Sequence, residues 1–290
     1  MHRQLLDGHY GLKTGMQEIV RRCPAPAAPD DDSPIFLFSA GWRSGSTLLQ
    51  RLIISGTDTL IWGEPYDECG MIQRLAEGLK AFRSDWPPAD YFYDGRPPGE
   101  LTDQWIANLF PALEDLRASH RALVDRLFAE PARRAGARRW GLKEVRLTAD
   151  HAAYLRWLYP KAKFLLLYRN PLNAYRSYCR YGRNWYDTFP DRPVFTPTAF
   201  GTHWRKLLEG YLADADALDA LLVRYEDLTK DPATLDRIEG YLGTAIDRAL
   251  IGNKVGSSER GGKHAEVSGV ERWLLRRAVQ PLAGRLGYKW

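Results

Sequence analysis

Residues 35–52 read IFLFSAGWRSGSTLLQRL, and no other stretch of the chain restricts its fold so strongly. The run 35–38 is short and apolar, directly follows Pro34 and is rich in β formers, so it reads as a buried strand. A turn at 40–45 follows, and 46–54 has the apolar spacing of a helix. A strand, a glycine turn and a helix N-terminus in that order form an anion cradle. The first N–H groups of the helix lack internal partners, and the helix dipole favours negative charge there. The motif departs from the G-x-x-x-x-G-K-[ST] loop of ATP-binding proteins, which uses Lys for the phosphates and a hydroxyl for magnesium. No Lys follows Gly45; the order is Arg43-Ser44-Gly45-Ser46-Thr47. A guanidinium beside the hydroxyls of Ser44, Ser46 and Thr47 suits a tetrahedral oxyanion and needs no metal. In isolation the same residues are equally a Gly/Ser turn carrying an exposed Arg.

Further strands are expected at 59–63, 140–145, 163–168 and 221–225. Helices are expected between them, including 66–82 opened by Pro65, 101–134 in two pieces broken near Pro111, 148–158 capped by Thr148, 172–181, 199–218 and 231–242. A short helix is expected within 1–22. Strands alternating with helices predict an α/β fold: a P-loop-like three-layer sandwich with a central, mostly parallel five-stranded sheet flanked by helices. Ligands of such sheets sit beyond the carboxyl ends of the strands, which brings Arg43, Glu64, Lys143, Arg169 and Glu226 toward one another.

The 290 residues contain no Gly/Ser linker, so one domain over 1–290 is expected, with 1–33 as an N-terminal extension and loop and 252–290 as a C-terminal loop and helix. Cys23, Cys69 and Cys179 are odd in number and widely spaced. That argues against a disulfide framework or zinc site and for a reducing, cytoplasmic setting. The six His residues form no i, i+4 pair, so no metal is expected. No run approaches the ~18 apolar residues of a membrane span, and no signal peptide is evident. The net charge of +5 is compatible with a small anionic ligand, and no fold motif points to nucleic acid.

A second basic unit follows the fourth strand: Arg169-Asn170-Pro171, with Ser177 eight residues after Arg169. An Arg at a strand tip and a hydroxyl two turns into the next helix can hold a second phosphate. Together with Arg43–Thr47, this pairing resembles the sulfotransferase superfamily, whose donor is 3′-phosphoadenosine 5′-phosphosulfate (PAPS). The resemblance spans roughly 34–275 and includes LLVRYEDL at 221–228. It implies that Arg43, Ser44, Gly45, Ser46 and Thr47 bind the 5′-phosphosulfate and that Arg169 and Ser177 bind the 3′-phosphate. The chain looks most similar to the branch of tyrosylprotein sulfotransferases and their bacterial relatives. That similarity implies Glu64, in Gly63-Glu64, as general base, Lys143 as stabiliser of the transferring sulfuryl group, and Tyr225 as an adenine contact. It also implies that Ser258 and Arg272 contact the cofactor, Ser258 near the leaving phosphate. The product is then 3′-phosphoadenosine 5′-phosphate (PAP), and the acceptor a hydroxyl of a small molecule, glycan or natural product.

The sequence departs from the family at several points. Where cytosolic small-molecule sulfotransferases carry a His two residues after the third-strand Lys, Val145 stands here, which moves the base assignment to Glu64. Their C-terminal K-G-x-x-G-x-W-K loop is missing, and 258–263 (SERGGK) is its nearest substitute. The Arg that follows the 3′-phosphate Ser by four residues is replaced by Tyr181, with Arg180 one short. Two aromatic and Pro-rich loops, 84–99 and 182–198, are expected to wall the acceptor pocket. The competing readings are a P-loop-type small-molecule kinase, disfavoured by the absent Gly-Lys-[ST], and a non-catalytic nucleotide-binding module.

Overall fold

The computed structural model describes residues 11–26, 33–56, 58–66, 69–103, 105–180, 194–252 and 266–290. Five strands form one sheet: β1 (Ile35–Ser39), β2 (Thr59–Trp62), β3 (Arg139–Glu144), β4 (Lys163–Tyr168) and β5 (Ala220–Arg224). Their order is β2-β3-β1-β4-β5, and every pairing is parallel. The helices are α1 (Leu12–Arg22), α2 (Ser46–Ile54), α3 (Met71–Glu77), α4 (Leu113–Val124), α5 (Glu130–Arg134), α6 (Ala149–Leu158), α7 (Pro171–Arg180), α8 (Pro197–Asp214), α9 (Pro232–Leu242) and α10 (Gly269–Val279), with shorter turns between some of them.

The strands are apolar on both faces because both faces are covered. Phe36, Phe38, Trp140, Leu142, Phe164 and Leu166 point to one side, into a core that reaches from Leu12 in α1 to Tyr288. Ile35, Leu37, Ile61, Leu165, Leu167 and Val223 point to the other, against Leu49, Leu52 and Ile53 of α2 and Leu235, Ile238 and Leu242 of α9. Alternation along each strand thus splits one sheet into two cores. Phe36 meets Trp140 edge-to-face at 5.9 Å. Each such side chain contributes about 1.5–3 kcal/mol through burial, so the sheet is a stiff platform for whatever stands at its tips.

The expected alternation and parallel sheet are present, with two local differences. Pro65 does not open a helix: Tyr66 and Gly70 take left-handed backbone angles (φ 54° and 55°), and α3 starts only at Met71. The stretch before Pro111 is not helical either; α4 begins at Leu113. The helix that follows carries a π turn at Asp125–Ala129, just before Pro131 in α5. Pro131 has no N–H for the regular ladder, and the wider turn absorbs that loss. Thr148 caps α6 as expected, with His151 Nδ1 accepting the Thr148 N–H at 3.0 Å. Among the described residues no helix is long and apolar enough to cross a membrane.

Candidate active site

The cradle begins where β1 runs out. Ser39 is fully buried, and the Ala40 N–H donates to Leu167 O at 2.8 Å, which ties the start of the turn to β4. Ser44 is also fully buried; its hydroxyl bonds to the Gly41 carbonyl at 2.8 Å and to the Ser39 hydroxyl. Its role in the described structure is therefore to hold the turn closed. Arg43 (φ 60°) and Gly45 (φ 92°) both adopt left-handed angles, and the second swings the chain into α2. Leu48 and Leu49 N–H groups reach back to Gly45 O at 3.0 and 3.2 Å. The N–H groups ahead of them, at Ser46 and Thr47, have no carbonyl within the helix to bond. Gly45 is also where the Tyr225 ring comes closest: a Cβ there would lie 2.2 Å from the ring.

Across β1, the tip of β4 supplies Arg169. The Trp204 indole N–H holds its carbonyl at 3.0 Å. Its Nη1 donates to Arg43 O at 3.0 Å, and its guanidinium lies 4.2 Å from the Tyr225 ring centre. Arg169 Nε is buried and makes no hydrogen bond among the described residues. Burial lowers its proton affinity below that of an ordinary arginine, while Tyr225 and Glu226 oppose the shift and Arg43 adds to it. An anion placed here would offset the crowding of two guanidinium groups and satisfy the orphaned Nε. Ser177, in α7, accepts from Arg43 Nε at 3.0 Å. Through Nε the Arg43 side chain thus reaches the second seat, and its backbone forms part of the first. Asn170 Oδ1 caps α7 by accepting from Leu172 and Asn173 N–H at 3.0 and 3.1 Å. Glu226 accepts the Asn170 N–H at 2.9 Å and the Tyr288 hydroxyl at 3.1 Å, so β5 and the C-terminal segment brace this seat.

The other side of β1 carries a carboxylate–ammonium pair. Trp62 is in register with Leu142, and Leu37 with Lys143, so Glu64 leaves β2 level with the tip of β3. Lys143 Nζ stands 2.5 Å from Glu64 Oε1, and the two side chains are 9% and 23% exposed. Arg146 Nη2 approaches Glu64 Oε2 at 3.2 Å. Its Nε and Nη2 also meet Glu144 Oε1 and Oε2 at 3.0 and 3.3 Å. Burial, reinforced by nearby Glu64, raises the proton affinity of Glu144 above the usual carboxylate range, with Arg146 opposing.

The structure therefore gathers Arg43, Gly45, Arg169, Ser177 and Tyr225 on one side of the β1 tip and Glu64 with Lys143 on the other. Ser46 is buried and Thr47 exposed at the start of α2. Arg272 is exposed on the first turns of α10, whose Glu271 accepts from the Tyr175 hydroxyl of α7 at 3.2 Å. Ser258, and residues 182–193 of the second aromatic loop, lie outside the described residues. In the first loop, Trp86 packs on Tyr91 at 5.5 Å and Phe92 on Phe110 at 6.0 Å, while Trp105 is 75% exposed. Glu144 and Arg146 were not singled out by sequence reasoning. Their only trace is the charge alternation in K-E-V-R at 143–146.

A parallel α/β sheet with a glycine-turned anion cradle between β1 and α2, and basic groups at the next strand tip, defines a P-loop-like class of α/β proteins suited to nucleotides. Within that class, residues 34–248 match the Sulfotransferase family, and the chain belongs to it. No curated protein matches the sequence. The structure is similar to the sulfotransferase domain of the Synechococcus PCC 7002 olefin synthase (18% identity, 90% of this chain and 98% of that one, TM-score 0.47). It is also similar to the sulfotransferase domain of the curacin biosynthetic pathway (16% identity, 89% and 98%, TM-score 0.49). A third similar structure is the sulfotransferase STF9 from Mycobacterium avium (13% identity, 95% and 82%, TM-score 0.47).

Proposed function

We propose that this sulfotransferase takes the sulfuryl group of PAPS and delivers it to an acceptor hydroxyl, with Glu64 as general base. The observation that carries the reading is the placement of a carboxylate–ammonium pair and a two-arginine seat on opposite sides of one strand tip. The residues present suit a nucleotide with anions at both ends. Gly45 has no Cβ and so admits the Tyr225 ring against the start of α2, and Arg169 has a buried donor without a partner among the described residues.

The bound donor supplies an activated sulfuryl group; the chain's own residues do the rest. Ser46, Thr47 and the first N–H groups of α2 hold its 5′ end. Arg43, Arg169 and Ser177 hold its 3′-phosphate, with Tyr225 beside the adenine. Glu64 accepts the acceptor's proton as the acceptor oxygen bonds to sulfur, and Lys143 offsets charge on the sulfuryl oxygens and the departing phosphate. Ser258 and Arg272 complete the donor contacts in this reading. The acceptor is a hydroxyl of a small molecule, glycan or natural product. Treating 1–290 as one domain is supported by the core that joins Leu12 to Tyr288. A cytoplasmic setting is supported by three free cysteines.

The test is a thermal shift with PAP, followed by an acceptor screen with labelled PAPS. PAP should stabilise the native protein, and Glu64→Gln should bind PAP normally while losing about 10²–10⁴-fold in transfer. Lys143→Ala should lose transfer as well. Normal transfer by Glu64→Gln would remove the carboxylate from the mechanism.

A further inference from the structure

The Glu64–Lys143 contact presents a conflict. At 2.5 Å the ammonium neutralises the carboxylate that must take a proton, and the carboxylate neutralises the cation that must meet the sulfuryl oxygens. Turnover requires the two to part. We infer that Arg146 is a positioning residue that keeps the Glu64 carboxylate in place when Lys143 moves to the transferring group; this rests on the reading of Glu64 as base.

The geometry distinguishes the two cations. Lys143 is a point charge on a flexible four-carbon stem, free to exchange one oxygen partner for another. Arg146 is not free to follow. Its side chain is 3% exposed, and its fork bonds both oxygens of Glu144, which is equally buried. Glu144 is itself fixed by the Val145 N–H at 2.7 Å, within the chain segment that ends β3. The fork reaches Glu64 through Oε2, whereas Lys143 holds Oε1. Departure of Lys143 therefore uncovers Oε1 alone and leaves the carboxylate anchored by its other oxygen. The four side chains carry two positive and two negative charges while Lys143 is in place, and one net negative charge when it leaves. The proton of the acceptor hydroxyl then passes to Oε1, and the acceptor oxygen forms its bond to sulfur. The sulfur–oxygen bond to the 5′-phosphate breaks, and its electron pair leaves with PAP.

Calorimetric titration with PAP comes first. A native protein that does not bind PAP refutes the donor assignment itself and takes this inference with it. With binding established, the native protein is compared with Arg146→Gln, Arg146→Lys and the double variant Glu144→Gln/Arg146→Gln. The double variant avoids leaving Glu144 as an unpaired buried anion, which would confuse misfolding with mispositioning. The readout is single-turnover transfer from labelled PAPS to 2-naphthol, or to water, across the pH range. The double variant should bind PAP within about threefold of native and lose about tenfold or more in transfer, while Arg146→Gln, which removes the cation alone, should move the acid limb of its rate profile to higher pH. Arg146→Lys keeps the charge without the fork and should recover little of the rate. An unchanged rate with an unmoved acid limb, or loss of PAP affinity in step with the rate, overturns the inference. If PAP binds but neither acceptor is sulfated, a crystal structure with PAPS bound decides. Lys143 away from Glu64 with Arg146 still on Oε2 supports the assignment, and Lys143 remaining on Glu64 overturns it.

Discussion

Replacing Gly45 with Ala tests the cradle where its geometry is least forgiving. Gly45 sits at φ 92°, a region where an L side chain costs about 1–2 kcal/mol. The new methyl would lie 2.2 Å from one Tyr225 ring carbon and 2.3 Å from the next. The ring must therefore retreat by about 1 Å or more to reach ordinary contact. It is not free to do so cheaply, because the Arg169 guanidinium stacks on it at 4.2 Å. Overpacking of this kind costs about 1–3 kcal/mol, so the total is about 2–5 kcal/mol. For a chain of this size that corresponds to a fall in Tm of roughly 4–10 °C. Urea denaturation and thermal melts of Gly45→Ala measure it. The same melts in a Tyr225→Ala background separate the two contributions, since there only the backbone cost of about 1–2 kcal/mol should remain. PAP affinity should fall as well, because the methyl and the displaced ring both intrude on the cradle. A Gly45→Ala protein within about 0.5 kcal/mol of native, with PAP affinity intact, would show that the close approach of Tyr225 to the turn is not what fixes the loop.

Other outcomes follow from the same geometry. Ser177→Ala removes the acceptor of the Arg43 Nε–H bond. It should weaken PAP binding about tenfold, measured by calorimetry, with little change in Tm. Arg169→Lys keeps the charge but not the fork, and should lose PAP affinity by about tenfold or more on the same instrument. Burial pushes the His151 imidazole down to about 4 and keeps it neutral in the folded state. Its folded value lies below its unfolded one, so its contribution is complete above about pH 6.5 and is lost as pH falls toward 4. The loss should reach about 3 kcal/mol. Urea midpoints at a series of pH values for native protein and His151→Asn should diverge in slope across that window; parallel slopes would refute the assignment.

The order of elements, the parallel sheet and the cradle between β1 and α2 were legible in the chain because each rests on local pattern. An apolar run after Pro34, a turn with glycines at 41 and 45, and a 3.6-residue spacing from Ser46 to Ile54 dictate strand, turn and helix with little help from distant residues. Alternating β and α segments imply a parallel sheet with its tips along one edge, whereas the adjacency of the β1 and β4 tips is set by a strand order that only the structure shows. Pro65 misled as a helix opener because Pro suits a first helical turn and a tight turn equally, and the left-handed Tyr66 that follows decides between them. The contact of the Arg43 side chain with Ser177 in α7 depends on how two elements 134 residues apart pack. So does the charge cluster of Glu64, Lys143, Glu144 and Arg146. Sequence placed Glu64 and Lys143 at neighbouring strand tips, but only the strand register brings their charges within bonding distance, and only the turn after β3 folds Arg146 back onto both carboxylates. Local spacing can specify a backbone; which charge a long side chain meets is set by the three-dimensional field of its neighbours.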